Sequence, residues 1–159
     1  MADKWVIPWE VKNLIVNQGH SIRGHTMAKL LDETTFYRDT GFWMSGITMH
    51  RNRVLLADEV TDSYHYEFIA VVVVHELGHV AQQMDWGHVR FMLQYGWEAV
   101  CCGFRYSCLK KKSIEKEAYE HSNRFANNIG YRNFSRVAMA VDSRLKKKYI
   151  KDKGDSAVV

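Results

Sequence analysis

Between Tyr64 and Met84 the chain carries a long apolar segment of about twenty residues, into which the polar group His75-Glu76-Leu77-Gly78-His79 is set. Its length favours a helix, because buried strands run four to eight residues and helices run past ten. Taken alone, the β-branched run Val71 to Val74 favours a strand. In a strand, however, residues four apart stand roughly 13 Å from each other at about 3.3 Å per residue, whereas a helix stacks them on one face. We therefore expect a helix over 64–84, opened by Asp62 or Ser63 as cap. Gly78 is its one breaker. Its cost of up to about 1 kcal/mol calls for an offset, and the missing side chain lets another backbone approach closely. Val73, Val74, Leu77 and Ala81 are expected to pack this helix into the core.

On such a helix His75 and His79 bring two imidazoles to one ion, and Glu76 sits beside it as a general base for a bound water. The residue frequencies of this chain give roughly 0.02 accidental HExxH matches, so the pattern carries weight. A catalytic zinc takes three protein ligands and keeps a fourth position for water. The metzincin continuation would need glycine at 82 and histidine at 85; Gln82 and Asp85 exclude it. Glu115 and Glu117 are the candidates at the start of a later helix. At about 100° per residue, Ile114, Ala118, Ser122, Phe125 and Ile129 form one inward stripe, and Glu115 lies nearer its centre than Glu117 does. The reading assigns Glu115, with His121 and His88 in reserve. Glu117, Glu120 and Arg124 are read as solvated charges. One zinc ion per chain is expected.

The rest of the chain reads as one domain over 1–159, of α+β class and mostly helical. An N-terminal helical segment covers 8–31, in two pieces at Pro8–Asn17 and Thr26–Leu31. A hairpin covers 42–57, its strands Trp43–Met49 and Arg53–Ala57 joined through His50-Arg51-Asn52, with Gly46 as a candidate bulge. An apolar helix follows over His88–Phe104. The helix bearing Glu115 is expected over 113–129, capped by Ser113 and ended at Gly130. A basic amphipathic helix over 135–150 starts at Ser135, and the tail beyond Lys151 is expected to fray.

A hydrophobic content of 47% with a single proline is the profile of a folded chain. The net charge of +4 gathers partly at Lys110–Lys112 and Lys146–Lys148. No nucleic-acid reading motif accompanies it, so nucleic acid is not an expected partner and the lysines read as solvated. Neither Phe68–Val74 nor Phe91–Phe104 is long and uncharged enough to span a bilayer. Met1 to Trp5 lack the pattern of a secretory signal. With three clustered cysteines, Cys101, Cys102 and Cys108, the expectation is reduced thiols in a cytoplasmic protein, Cys101 and Cys102 serving as small core residues.

The run Ala70–Val74 leading into HELGHV, the following Gln82, and the ExEA segment Glu115–Ala118 on a helix reaching Phe125-Ala126 together resemble compact bacterial gluzincin-type zinc metallopeptidase domains. The resemblance spans about residues 66 to 130. It implies a zincin-like fold with a small sheet before the active-site helix, an edge strand able to align an extended peptide, and Glu115 as third zinc ligand. Where many such domains carry Asp or Asn after the alanine, this chain has Tyr119. The activity implied is hydrolysis of a protein or peptide substrate; the alternative is a catalytically silent zinc-binding module for interaction or regulation. Tyr95, His88, Tyr119 and His121 are the candidate donors to a developing oxyanion.

Overall fold

The computed structural model describes residues 2–39 and 44–156. In chain order these form β1 (Asp3–Lys4), α1 (Trp9–Gln18), α2 (Met27–Asp32), β2 (Thr35–Asp39), β3 (Gly46–Met49), β4 (Arg53–Ala57), α3 (Asp58–Thr61), α4 (Tyr66–Trp86), α5 (His88–Cys101), α6 (Tyr106–Leu109), α7 (Ser113–Asn128) and α8 (Phe134–Ser156). The class is α+β, 62% helical with a small mixed sheet. Phe42 and Trp43, at the start of the expected hairpin, lie outside the described residues.

Among the described residues the strands make one sheet in the order β1-β2-β4-β3. β3 and β4 form the expected antiparallel hairpin, with Arg51 and Asn52 both at positive φ in the turn. The sheet is wider than the hairpin alone. β2 pairs parallel with β4, and β1 adds antiparallel to β2. β1 is two residues long and β2 buries only Phe36 outright, so neither shows the alternation that reveals a strand. Gly46 is not a bulge: the pairing from Gly46↔Leu56 to Met49↔Arg53 is uninterrupted.

α4 is the axis of the molecule. It is buried from Phe68 to Val74 and again from Glu76 to Gln83, the pattern of a helix that is apolar all round and enclosed on every side. α1 supplies Val11 and Ile15 to that enclosure, the sheet Phe36, Val54 and Leu56, α7 Phe125, and α8 Val141 and Leu145. A fully buried side chain of this size contributes about 1.5–3 kcal/mol, which explains why tertiary burial overrides the strand preference of four consecutive valines. Val73, Val74, Leu77 and Ala81 are all buried in this core. At Gly78 the offset is visible: a Cβ there would lie 3.2 Å from the Cα of Ala118. The missing side chain lets α7 close onto α4.

Helix ends depart from the expected caps. His65, not Asp62 or Ser63, precedes α4, and the Ser63 hydroxyl accepts the His65 N–H instead. α7 begins at Ser113 itself, and its opening turn is capped from another helix: the buried Glu98 carboxylate of α5 accepts from the Ser113 hydroxyl and from the Ile114 N–H. A carboxylate there also meets the positive end of the helix dipole. Thr26, read as the first residue of the second helical piece, is instead the cap of α2, accepting from the Lys29 N–H. Gly130, at φ 69°, follows α7 in the left-handed conformation that ends a helix. α8 starts at Phe134, ahead of Ser135, and runs to Ser156, past the expected stop at 150 and past Lys151. Lysine is a good helix former, and Gly154 alone does not end the run.

The thiol expectation is corrected. Cys102 and Cys108 form a disulfide, their Cα atoms 5.5 Å apart, closing the turn between α5 and α6, while Cys101 is exposed rather than in the core. Spacing alone gave no sign of it, because the turn at Gly103 and Phe104, both at positive φ, is what folds the two cysteines together. No described helix is long and apolar enough to cross a membrane.

Candidate metal centre

His75 and His79 stand one turn apart on α4, and α7 brings Glu115 across from them. The three offer ligand atoms that all lie within 4.8 Å of one another. The Nε2 atom of His75 is 3.3 Å from Oε2 of Glu115, and Nε2 of His79 is 3.5 Å from Oε1. Oε2 is buried yet takes no hydrogen bond. A buried carboxylate oxygen with no donor is costly unless a cation completes it. Two imidazole nitrogens and a carboxylate gathered within 4.8 Å form a donor set suited to a metal ion, so the residues present fit such a group.

Each ligand is held by a second contact. Gln82, fully buried, donates its amide N–H to the carbonyl of Ile114 at 3.1 Å. Its oxygen therefore faces Nδ1 of His79, 3.0 Å away, and must accept from it. In the neutral, metal-binding form of the ring, Nε2 of His79 is then the nitrogen with the free lone pair, turned toward Glu115. Tyr95 of α5 donates its hydroxyl to Oε1 of Glu115 at 2.9 Å. The Tyr119 ring packs edge-on against His75, centroids 4.6 Å apart, so this position constrains the ring by packing rather than by a carboxylate.

Glu76 is buried beside the ligands and is seated by the edge strand. Alternate residues of β3 face α4. From that face Thr48 donates to Oε2 of Glu76 at 2.7 Å and also approaches the Glu76 carbonyl at 3.1 Å. Gly46, two residues earlier on the same face, lies against the carboxylate. Neither contact could be named from the sequence. Alternation places 46 and 48 together, but nothing local says which helix residue they meet.

The electrostatics follow from burial and proximity. Burial opposes a charge on His79, but the adjoining Glu115 carboxylate outweighs it and raises the imidazole to about 9. Burial likewise opposes ionisation of Glu115, and the His75 and His79 rings reverse that, holding it well below the usual carboxylate range. Burial and the Glu115 charge push the Tyr95 hydroxyl far above its ordinary value and Tyr119 up to about 12, so both remain proton donors at neutral pH.

Of the four candidate oxyanion donors, Tyr95 and Tyr119 line the cavity with the ligands. His88 packs against His50 at a tilt, centroids 4.1 Å apart, and His121 bonds to His20 at 3.0 Å; both lie outside the cavity lining and neither joins the ligand group. Tyr106 of the short α6 was not foreseen. It lines the cavity too, its hydroxyl against that of Tyr119. A helix of one turn has no period by which to find it. Glu117 is corrected as well: Arg23 grips it through two bonds, 2.6 and 3.0 Å, and reaches Asp85 at 3.1 Å. Glu120 pairs with Lys116 on the exposed face.

Comparison of the chain with protein-family models, with curated proteins and with solved structures finds no match.

Proposed function

We propose that the chain is a zinc-dependent metallopeptidase of zincin-like, gluzincin type, with His75, His79 and Glu115 as ligands and Glu76 as general base. The observation that carries the reading is the convergence of two imidazoles and one carboxylate on a point beside a second, separately held carboxylate. A tetrahedral zinc with bonds near 2.0 to 2.1 Å has ligand-to-ligand edges of about 3.4 Å. The distances from His75 to Oε2 and from His79 to Oε1 of Glu115, 3.3 and 3.5 Å, are close to that edge, one to each carboxylate oxygen.

Zinc held there would lower the pKa of a bound water toward about 7 and polarise a carbonyl oxygen. The chain's own groups do the rest. Thr48 occupies Oε2 of Glu76 and leaves Oε1 to take the proton of the attacking water and pass it to the departing amine, a transfer typically contributing about 10²- to 10⁴-fold. Tyr95 and Tyr119, kept protonated, are placed to donate toward developing negative charge on the substrate oxygen. Phe91, Met92 and Tyr106 wall the cavity and limit water.

The test is metal content together with hydrolysis of a generic unfolded protein, for the parent and for Glu76→Gln. The expected result is about one zinc per chain in both, with turnover only in the parent. A zinc-loaded parent no faster than Glu76→Gln would overturn the peptidase and leave a zinc-binding module.

A further inference from the structure

The solvent side of α5 is the reverse of an ordinary surface helix. Its inward face carries Phe91, Glu98 and Ala99. Its outward face, at helical spacing, carries Val89, Leu93, Trp97 and Val100, exposed by 71, 71, 68 and 57%. Phe104 continues the stripe in the following turn, 80% exposed and at a φ of 57° that a bulky side chain seldom adopts. A contiguous apolar patch of this extent marks a contact surface.

The charges around it select the partner. Across residues 88 to 112 the only acidic residue is Glu98, and it is buried against Ser113 and Ile114. The cations of that stretch are Arg90, Arg105 and Lys110 to Lys112. Arg90 lines the same shallow depression as Val89, Leu93 and Trp97, and Arg105 follows Phe104 directly. Residues 88–112 thus present an apolar stripe flanked by arginines, with no exposed carboxylate among them. A second copy of the same face would set cation against cation, and an acid-poor tryptophan–leucine stripe flanked by arginine is the chemistry that lies in a lipid interface. α5 is too short and too interrupted to span one.

We propose that the outer face of α5 with the following turn is a docking surface for an anionic lipid bilayer, entered by Leu93, Trp97 and Phe104 and held by Arg90, Arg105 and Lys111. Met92 and Tyr95 of the same helix line the metal cavity, so docking sets the cavity at the lipid–water boundary. The surface itself does not depend on metal or on turnover.

The experiment is flotation of the full chain with vesicles of phosphatidylcholine, with and without phosphatidylserine, at low and at high salt. Binding is expected only with phosphatidylserine, weakened by salt. Joint replacement Arg90→Gln, Arg105→Gln and Lys111→Gln is expected to lower partitioning roughly 100-fold, and Leu93→Ser with Trp97→Ser at least about tenfold. All five side chains are exposed, so circular dichroism is expected to be unchanged. No flotation at low salt overturns the proposal, as does flotation indifferent to both sets of changes. A dimer that Leu93→Ser with Trp97→Ser dissociates, with no vesicle binding, overturns it in favour of a second copy.

Discussion

A Cβ placed on Gly46 would lie 2.8 Å from Oε1 of Glu76 and 3.0 Å from Cδ2 of Leu56. The glycine is therefore there for space: its strand pairing is regular, and the room it leaves is filled by the carboxylate that the proposed reaction uses as base. Leu56 behind it is fully buried and has nowhere to go.

Gly46→Ala is accordingly expected to displace Glu76 and lower kcat/KM by roughly ten- to 100-fold, since a small misplacement of a reacting group is that expensive. Thr48→Val, which removes the hydroxyl donor at 2.7 Å, is expected to act in the same direction. Neither touches a ligand, so zinc content measured alongside peptide hydrolysis should stay at the parental level. Loss of zinc in either variant would contradict this division of roles.

Tyr95→Phe and Gln82→Leu remove the partners of Glu115 and His79. Each is expected to weaken zinc binding about ten- to 100-fold without abolishing it, while His79→Ala and Glu115→Ala should lose it. Competition with a chelator measures all four. A Glu115→Ala chain of undiminished affinity would move the third ligand elsewhere.

Gly78→Val sets a branched side chain where a single carbon already stands 3.2 Å from the Ala118 backbone. α7 must move off α4, at a cost of about 1–3 kcal/mol in stability. Because Glu115 rides on α7, zinc affinity should fall as well, although residue 78 ligates nothing. Denaturant unfolding and the chelator assay together check it; a stable variant of normal affinity would refute the close helix contact.

The metal-free chain should lose stability as pH rises. His79 holds its proton with a folded pKa of about 9 against an ordinary 6.5, so its contribution is complete below pH 6.5 and is lost as pH climbs through 9. Its size is on the order of 2–4 kcal/mol. At the acid end Glu115 acts oppositely: its depressed pKa stabilises the fold above its ordinary 4.5 and stops doing so as pH falls. Thermal melts of chelator-treated protein should show Tm falling between pH 6.5 and 9, and zinc, taking the proton's place, should flatten that fall. A Tm constant across this window without metal would sink the ion-pair reading.

The sequence by itself determined what periodicity can carry. Residues 75 and 79 share a helix face at any fold, and the stripe through Ile114, Ala118, Ser122 and Phe125 turns Glu115 inward while leaving Glu120 in water. Those conclusions need only 3.6 residues per turn and the tendency of apolar side chains to be buried. Tertiary structure alone decided what meets across the chain. Gly46 and Thr48 reach Glu76 from 28 to 30 residues away, Arg23 claims Glu117 from 94 away, and Glu98 caps a helix it does not belong to. The sheet's two outer partners and the Cys102–Cys108 bond belong with these. Such contacts are fixed by how helices and strands pack, and packing depends on the whole set of buried surfaces at once, which no local spacing records.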